Sequence, residues 1–275
     1  MSVLDWPARL RSAWRRHLVP GPTRFRDRHG LTYLLEPTDD VELYRRHHGW
    51  FEEAEQAFVV RHLGPGMTAV DVGAYIGVYT CLMARLVGPG GRVHAFEPST
   101  TSFARLCRNV ELNGLANVVA NRQAVAGESG RLSLRCYPPP FESLSSLVRR
   151  ELVRSGRGIP PMREEPVEAV SLDDYAARAG LGRIDLLKLD AEGAELRILR
   201  GCHRLLAREA VRALLIEVND DVARILAELG AAGFRFFTPT RTGVLDPTTT
   251  ATARAATNLV ALHGVADRLD RPADV

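Results

Sequence analysis

Residues 67–77, with the sequence MTAVDVGAYIG, decide the fold of this chain. The apolar run at the start of this stretch is typical of a short buried strand, and its two glycines, Gly73 and Gly77, indicate a tight turn. The pattern of residues 78–87 predicts a helix directly after the turn. Glycine allows the backbone to approach other atoms closely. Because ligands of open α/β sheets bind at the carboxyl ends of the strands, this turn is a candidate ligand site.

The same alternation of strand and helix patterns continues along the chain. It predicts an α/β fold, doubly wound, with a mostly parallel sheet of seven strands. Further strands of this sheet are expected at residues 92–96, 118–125, 184–190, 211–218, 234–237 and 257–263, and further helices at 101–113, 194–207 and 220–232. Outside the sheet, residues 31–35 have a strand pattern and residues 131–136 that of an amphipathic strand.

Changes in this pattern predict the domain boundaries. Residues 1–50 are expected to form an N-terminal helical extension, residues 51–263 the main domain, and residues 264–275 a tail. An amphipathic helix at the start of the extension would pack on the domain or join two copies in a homodimer. Residues 137–166, rich in Pro, Ser, Gly and Arg, are predicted as an inserted, lid-like loop, with a short helix near residues 144–153. The expected inward-facing residues of this loop are Phe141, Leu144, Leu147 and Met162, and the residues expected to meet an acidic ligand are Arg149, Arg150 or Arg163.

Composition excludes several classes of protein. With 45% hydrophobic and 25% charged residues, the chain has the composition of a globular protein. It contains no run of 18 apolar residues, so no membrane-spanning helix is predicted. The net charge of +3 is too small to indicate a nucleic-acid partner. The four cysteines are far apart and form no CxxC pair, which argues against a zinc site or disulfides. A cytoplasmic location is therefore expected, without membrane or nucleic-acid partners.

An acidic residue follows the second predicted strand of the domain. Glu97 lies 24 residues after Gly73 and can accept hydrogen bonds from both hydroxyls of a ribose, as acidic residues do at this position in nucleoside-binding sheets. The alternative is that Glu97 caps the helix that opens near Ser99. The turn does not match GxGxxG, so a dinucleotide site is disfavoured. Its spacing, Asp71-x-Gly73-x-x-x-Gly77, is similar to the first motif of S-adenosylmethionine (SAM) methyltransferases.

A second motif extends this resemblance. Residues 185–195, DLLKLDAEGAE, contain the string Lys-x-Asp-x-Glu-Gly-x-Glu. Together with Phe96-Glu97-Pro98 and residues 109–113, NVELN, they make the chain similar to the FkbM-type family of SAM-dependent methyltransferases, from about Trp50 to His263. Tyr75 departs from the asparagine that is common in the turn of that family.

The resemblance implies a class I methyltransferase sheet of the Rossmann-like type with SAM as methyl donor. It also implies a small-molecule acceptor, most often a hydroxyl of a sugar or polyketide-type natural product. The residues that it places around SAM are Asp71, Gly73, Ala74, Tyr75 and Gly77 at the methionine part, Glu97 at the ribose, Ala124 at the adenine, and Asp190 and Glu192 beside the methyl group.

The chemistry of methyl transfer suggests roles for the residues around Asp190. The acceptor oxygen, the methyl and the sulfur must be aligned in a dry pocket, and an alcohol acceptor must lose its proton. Lys188, the only lysine of the chain, shares the strand face of Asp190 because side chains alternate along a strand. We expect Asp190, Lys188 and Glu192 to be catalytic, with Asp190 as base and Lys188 holding the acceptor oxygen. A purely structural Lys188–Asp190 ion pair is the alternative.

Other mechanisms and functions remain open at this stage. Asp190 with Glu217, Asn219 or Asp220 could bind Mg²⁺ through oxygen ligands, but helix capping by Asn219 and Asp220 is favoured, so no metal ligand is assigned. The His47-His48 pair is a less favoured base. Methylation of a small-molecule or peptide amine, or a non-catalytic module that binds SAM or a nucleoside, are the alternative functions.

Overall fold

The structure is a computed structural model that describes residues 21–39, 41–42, 51–148, 152–154, 157–218, 221–253 and 256–264. In chain order its strands are β1 (Thr23–Arg26), β2 (Thr32–Leu35), β3 (Thr68–Val72), β4 (Arg92–Phe96), β5 (Val118–Asn121), β6 (Ala124–Val125), β7 (Gly130–Cys136), β8 (Leu152–Arg154), β9 (Arg157–Ile159), β10 (Arg163–Val170), β11 (Leu186–Leu189), β12 (Ala213–Glu217), β13 (Phe234–Pro239), β14 (Leu245–Pro247) and β15 (Asn258–His263). Its α-helices are α1 (Glu53–His62), α2 (Val78–Val87), α3 (Thr100–Leu112), α4 (Leu172–Ala179), α5 (Glu195–Arg200), α6 (His203–Ala207), α7 (Val222–Ala231) and α8 (Thr250–Ala253).

A central sheet organises the domain. Its strand order is β14-β13-β15-β12-β11-β3-β4-β5, and the five strands from β12 to β5 run parallel. Strand β15 is antiparallel to both of its neighbours. The predicted doubly wound, mostly parallel α/β fold is confirmed. The sheet has eight strands rather than seven in the part of the chain that is described, because the short β14 adds to the edge of β13.

Hydrophobic clusters cover both faces of this sheet. Val70 of β3 and Leu187 of β11 pack with helices α4 to α7, whereas Ala69 and Leu186, their neighbours in sequence, pack with α1 and α2 on the opposite face. The alternation of side chains along a buried strand produces this division. It also directs Asp71 and Lys188 toward the α1–α2 face, side by side, because they are register partners in neighbouring strands.

The third predicted strand is divided between two sheets. Residues 118–121 form β5 of the central sheet, but residues 124–125 form β6, which pairs with β10. Strand β10 also pairs with β7, which completes a three-stranded sheet and confirms the amphipathic strand expected at residues 131–136. The prediction of one continuous strand at residues 118–125 is therefore wrong.

The predicted insertion at residues 137–166 is shorter in the structure and contains its own elements. Residues 163–166 belong to β10 instead. In place of the helix expected near residues 144–153, the described residues form a 3₁₀ turn at Glu142–Leu144 and a small hairpin of β8 and β9. Pro, Gly and Ser favour such turns over helix.

The N-terminal extension is not helical where it is described between residues 21 and 39. Strands β1 and β2 form an antiparallel hairpin, which agrees with the strand pattern at residues 31–35. The expected amphipathic helix, the homodimer contact assigned to it, and the His47-His48 pair lie outside the described residues. Within the described part of the chain, the helices are too short or too polar to span a bilayer.

Candidate active site at the carboxyl end of the sheet

A cavity of about 310 Å³ lies where strands β3, β4 and β11 end. Its size is at the lower limit of the range for small-molecule sites. Nine of the ten predicted site residues line the cavity, namely Asp71, Gly73, Ala74, Tyr75, Glu97, Ala124, Lys188, Asp190 and Glu192. The site predicted from four separated stretches of sequence is thus one space in the structure.

Gly73 lines the cavity and is also required for packing within the protein. Its φ of 77° is left-handed, and a Cβ at this position would lie 1.7 Å from the carbonyl oxygen of Asp190. The N–H groups of Gly73 and Ala74 both donate to the carbonyl of Phe96, at 3.0 Å. The missing side chain therefore makes room for the neighbouring strand end, and these two donors are engaged within the protein.

Gly77, the tenth residue, does not line the cavity. It is the N-cap of α2 with a φ of 89°, and a Cβ there would lie 2.6 Å from a methyl carbon of Leu106 in α3. The expectation that Gly77 faces the donor is not met, because close packing of α2 against α3 already requires glycine at this position.

Glu97 lies at the end of β4 and is buried. Its two carboxylate oxygens accept hydrogen bonds from the N–H groups of Tyr75 and Ser99, each at 2.9 Å. Ser99 is the N-cap of α3, so Glu97 also contacts the start of this helix, as the alternative role in helix capping predicts in part. Burial raises the pKa of Glu97 to about 8. A carboxylate has capacity for further hydrogen bonds beyond these two.

Asp71 and Lys188 form the buried polar floor of the cavity. Asp71 accepts a hydrogen bond from the Thr80 hydroxyl through Oδ2, at 2.6 Å, while its buried Oδ1 has no hydrogen-bond partner among the described residues. Lys188 Nζ donates to Asp190 Oδ2 at 2.7 Å. Burial lowers the pKa of Lys188, but the carboxylates of Asp190, Asp71 and Glu52 outweigh it and raise the pKa above its usual value. Lys188 is therefore a permanent cation.

The turn after β11 is held in an unusual conformation. Glu192 has a left-handed φ of 54°, and Gly193 follows with a φ of 95°. Glu195 accepts hydrogen bonds from the N–H groups of Ala191 and Gly193, at 2.8 and 3.1 Å, and so stabilises this turn. The hydroxyl of Ser146 donates to the carbonyl of Glu192 at 2.8 Å and joins the insertion to this turn.

Three carboxylates meet at one side of the cavity. Asp190, Glu192 and Glu217 each offer an oxygen, and these oxygens lie within 4.8 Å of one another. Burial, with repulsion from neighbouring carboxylates, raises the pKa of Glu217 to about 9. A carboxyl group that keeps its proton near neutral pH is a weak metal ligand. The other expected Mg²⁺ ligands, Asn219 and Asp220, lie outside the described residues.

The insertion contributes part of the cavity wall. Leu144 and Leu147 line the cavity as expected, but Met162 is 54% exposed and does not point inward. Arg163 pairs with Glu165 at 3.3 Å on the exposed surface and does not line the cavity. Arg149 and Arg150 lie outside the described residues.

Sequence reasoning missed Glu52 and a pair formed by Asp39 and Arg105. Glu52 lines the cavity, and its carboxylate accepts a hydrogen bond from the Tyr79 hydroxyl at 2.7 Å. The guanidinium of Arg105 donates to both oxygens of the buried Asp39, and the Tyr75 hydroxyl donates to the same Asp39 at 3.3 Å. No motif identifies these residues, because each contact joins distant parts of the chain.

The residues present fit SAM as a ligand. The unpartnered Oδ1 of Asp71 can accept a hydrogen bond from an ammonium group, and Glu97 has acceptor capacity for ribose hydroxyls. The strand order and the site at the ends of β3 and β4 define a class I, Rossmann-like, SAM-dependent methyltransferase. Residues 71–236 match the model of the methyltransferase FkbM domain, and the chain belongs to this family.

The chain is also similar to individual methyltransferases. The chain is 32% identical to methyltransferase 1 of Beauveria bassiana over 142 residues, which are 48% of this chain and 57% of that protein. It is 32% identical to the 31-O-demethyl-FK506 methyltransferase FkbM of Streptomyces tacrolimicus over 195 residues, or 62% of this chain and 74% of the relative. Among solved structures, a SAM-dependent O-methyltransferase of Thermotoga maritima aligns with 88% of this chain and 78% of its own, at 14% identity and a TM-score of 0.42.

Proposed function

We propose that this protein transfers a methyl group from SAM to a hydroxyl of a small molecule, such as a sugar or a polyketide-type natural product. The observation that carries the proposal is that Asp71, Glu97 and the Lys188–Asp190 pair line one cavity. Donor-binding and acceptor-binding groups are then within reach of each other, as an in-line displacement requires.

The donor side of the cavity uses residues on β3, β4 and β6. In the proposal, Asp71 accepts a hydrogen bond from the ammonium of the methionine part, and Glu97 accepts from the ribose hydroxyls. Ala124 is small and buried, and it leaves space for a flat base. The turn at Gly73, Ala74 and Tyr75 forms the wall beside them. SAM supplies a methyl group on a positively charged sulfur.

The acceptor side uses the end of β11. The ammonium of Lys188 would stabilise the negative charge that develops on the acceptor oxygen, because a buried cation acts strongly where water is excluded. Asp190 holds that ammonium in place through their 2.7 Å contact. Glu192 and the leucines of the insertion would border the acceptor.

The charged groups that line the cavity favour an uncharged acceptor. The described lining residues include seven carboxyl groups, those of Glu52, Asp71, Glu97, Glu142, Asp190, Glu192 and Glu217, and a single ammonium, that of Lys188. An acidic acceptor would be repelled, whereas a hydroxyl compound would not. The name of the Streptomyces tacrolimicus relative refers to an acceptor oxygen, which favours a hydroxyl as well.

A protonated amine is the second candidate acceptor. Asp190 and Glu192 of the three-carboxyl cluster would attract a cation, so N-methylation has a specific observation in its favour.

The test follows S-adenosylhomocysteine release over a panel of methyl hexosides, hydroxylated macrolides and their amino-substituted analogues. We expect release with hydroxyl compounds, and we expect activity to persist in EDTA because no metal is required. Asp190→Asn should lower turnover by about 10²-fold, because Lys188 is then no longer held beside the acceptor oxygen, while SAM still binds. Turnover of the amino analogues alone would replace the hydroxyl proposal, and loss of activity in EDTA would indicate a cation at the three carboxylates.

A further inference from the structure

Left-handed backbone is concentrated around the cavity. Among the described residues, four other than glycine have a positive φ, and three of these, Glu52, Tyr75 and Glu192, line the cavity. Glu52 has φ 49° and ψ 56°. This conformation is unfavourable for a residue that carries a side chain, and such strain is typically found at functional sites.

Glu52 occupies the N-cap of α1 without acting as a cap. An N-cap side chain normally accepts a hydrogen bond from the first turn, and Ser, Thr, Asp or Asn is preferred there. The side chain of Glu52 makes no such bond. Instead it turns into the cavity, where Oε2 accepts from the Tyr79 hydroxyl at 2.7 Å. The strained backbone therefore serves to aim the carboxylate rather than to start the helix.

Charged groups on three elements face this carboxylate. They are Lys188 and Asp190 from β11 and the turn after it, Tyr79 from α2, and Glu55 from α1 itself. Burial raises the pKa of Glu52 to about 7, with Lys188 and the Tyr79 hydrogen bond acting in the opposite direction. A group that gains and loses a proton near neutral pH is suited to proton transfer.

Two other carboxylates of the cavity are already bound to groups of the protein. Asp190 is paired with Lys188 through Oδ2, and Glu97 binds two backbone N–H groups. Among the described residues, Tyr79 is the only hydrogen-bond donor to the Glu52 carboxylate. One oxygen of Glu52 is thus available to a ligand beside Lys188.

We propose that Glu52 is the catalytic base that removes the proton of the acceptor hydroxyl, an assignment that rests on the proposed function. The bond between the acceptor oxygen and the methyl carbon forms as the carbon–sulfur bond breaks, and the sulfur keeps the electron pair. The hydroxyl proton passes to Glu52, which later releases it to water. Lys188 stays protonated and stabilises the charge on the oxygen, and Tyr79 holds the carboxylate in position.

The experiment compares Glu52→Gln with Glu53→Gln, using the acceptor that releases S-adenosylhomocysteine in the panel described above. Glu53 is the matched control, since it lies next to Glu52, faces Arg28 and Arg241 at 3.7 and 3.8 Å, and does not line the cavity. Glu52→Gln should lower kcat by about 10²–10⁴-fold, the usual effect of losing a general base, and leave SAM affinity nearly unchanged. Glu53→Gln should behave as the wild type.

The pH profile distinguishes a base from a structural residue. For the wild type and Glu53→Gln at saturating SAM, kcat/KM for the acceptor should rise with pH through about 7 as Glu52 loses its proton. Glu52→Gln should lack this rise. A Glu52→Gln enzyme with the turnover and the pH profile of Glu53→Gln would overturn the proposal, and Asp190 would then be the candidate base.

Glu52→Gly keeps the test valid if Gln disturbs folding. Glycine adopts the left-handed backbone without strain and is tolerated at an N-cap, so this variant removes the side chain and its carboxylate without straining the backbone. Added formate should restore part of its turnover, and formate should not stimulate Glu53→Gln. Lack of rescue together with an unchanged pH profile would contradict the role. Turnover of an amine instead of a hydroxyl compound would contradict the proposed function. The comparison of Glu52→Gln with Glu53→Gln would still decide the role of Glu52.

Discussion

At the scale of single residues, Glu97 joins three parts of the site through one carboxylate. It binds the turn after β3 through Tyr75 and the start of α3 through Ser99, and it borders the cavity. Its pKa of about 8 is caused mainly by burial. In the free protein this raised pKa favours protonation of Glu97 near neutral pH, whereas N–H donors at both oxygens and bound ribose hydroxyls favour its ionised form.

This leads to a prediction for SAM binding. SAM affinity should increase as the pH rises from 6 to 9, by up to about tenfold for each pH unit below 8, and binding near pH 7 should release a proton. Glu97→Gln should weaken binding by about 1.5–3 kcal/mol at high pH and remove this pH dependence. Titration calorimetry in buffers of different ionisation enthalpy measures both effects. A wild-type affinity that is constant over this range would show that Glu97 does not bind the ribose as a carboxylate.

The close approach of Gly73 to the carbonyl of Asp190 leads to a prediction for stability. Gly73→Ala should destabilise the fold by about 2–5 kcal/mol, from left-handed strain and overpacking against the carbonyl of Asp190. Gly66→Ala is the control, because Gly66 also has a positive φ but open space around it, and it should cost about 1–2 kcal/mol. Denaturant unfolding compares the two. Equal unfolding midpoints, with SAM binding lost only in Gly73→Ala, would restore the idea that Gly73 makes room for the ligand.

At the scale of elements, helix α3 connects the N-terminal hairpin to the donor turn. The side-chain oxygens of Asn109 and Asn113 accept from the N–H groups of Leu34 and Thr32, both at 2.8 Å. The amide of Asn109 also donates to the carbonyl of Ile76 at 2.8 Å. These contacts explain two residues of the NVELN motif. They hold the hairpin on the helix and the helix on the turn.

The insertion between β7 and β10 should be needed for turnover but not for SAM binding. Cys136 and Arg163 are register partners, so a short Gly/Ser turn in place of residues 138–161 can close the hairpin without moving either strand. Since Asp71 and Glu97 lie on the central sheet, the shortened protein should still bind SAM. It should lose turnover because Leu144 and Leu147 no longer border the acceptor. Calorimetry with SAM and the methyl-transfer assay test the two halves. Wild-type turnover in this variant would show that the segment is not a lid.

At the scale of the whole molecule, buried carboxyl groups at one edge of the sheet link stability to pH. Burial raises the pKa of Glu52 to about 7, of Glu97 to about 8 and of Glu217 to about 9. All three values lie above those of an unfolded chain, near 4.5. The stability that these groups contribute is therefore fully present below about pH 4.5 and is lost as the pH rises through 7 to 9.

The ligand-free protein should accordingly melt at a lower temperature at pH 9.5 than at pH 6. The expected shift is at least about 2–4 °C, which corresponds to about 1 kcal/mol in a domain of this size. Scanning calorimetry over this range measures it, and Glu217→Gln, which cannot ionise, should show a smaller decrease. A melting temperature that rises between pH 6 and pH 9.5 would contradict the raised pKa values.

The sequence by itself determined the α/β class, most strand positions and the residues at the strand ends. The reason is local and periodic: buried parallel strands are apolar runs, and ligands bind at their carboxyl ends. Asp71, Glu97, Lys188 and Asp190 could therefore be assigned to one cavity before their distances were known. Eight of the strands in the described chain form the main sheet, and the extra edge strand β14 is too short to recognise from its three residues.

Only the tertiary structure decided how these groups work together. Glu52 is 136 positions before Lys188 in the chain, and neither its left-handed backbone nor its burial follows from any local pattern. The reason for Gly73 also appears only when the end of β11 lies against it, and the pKa of Glu97 is raised only because folding buries its carboxyl group. Close approach and desolvation depend on atoms brought together from distant parts of the chain, so they are properties of the folded molecule.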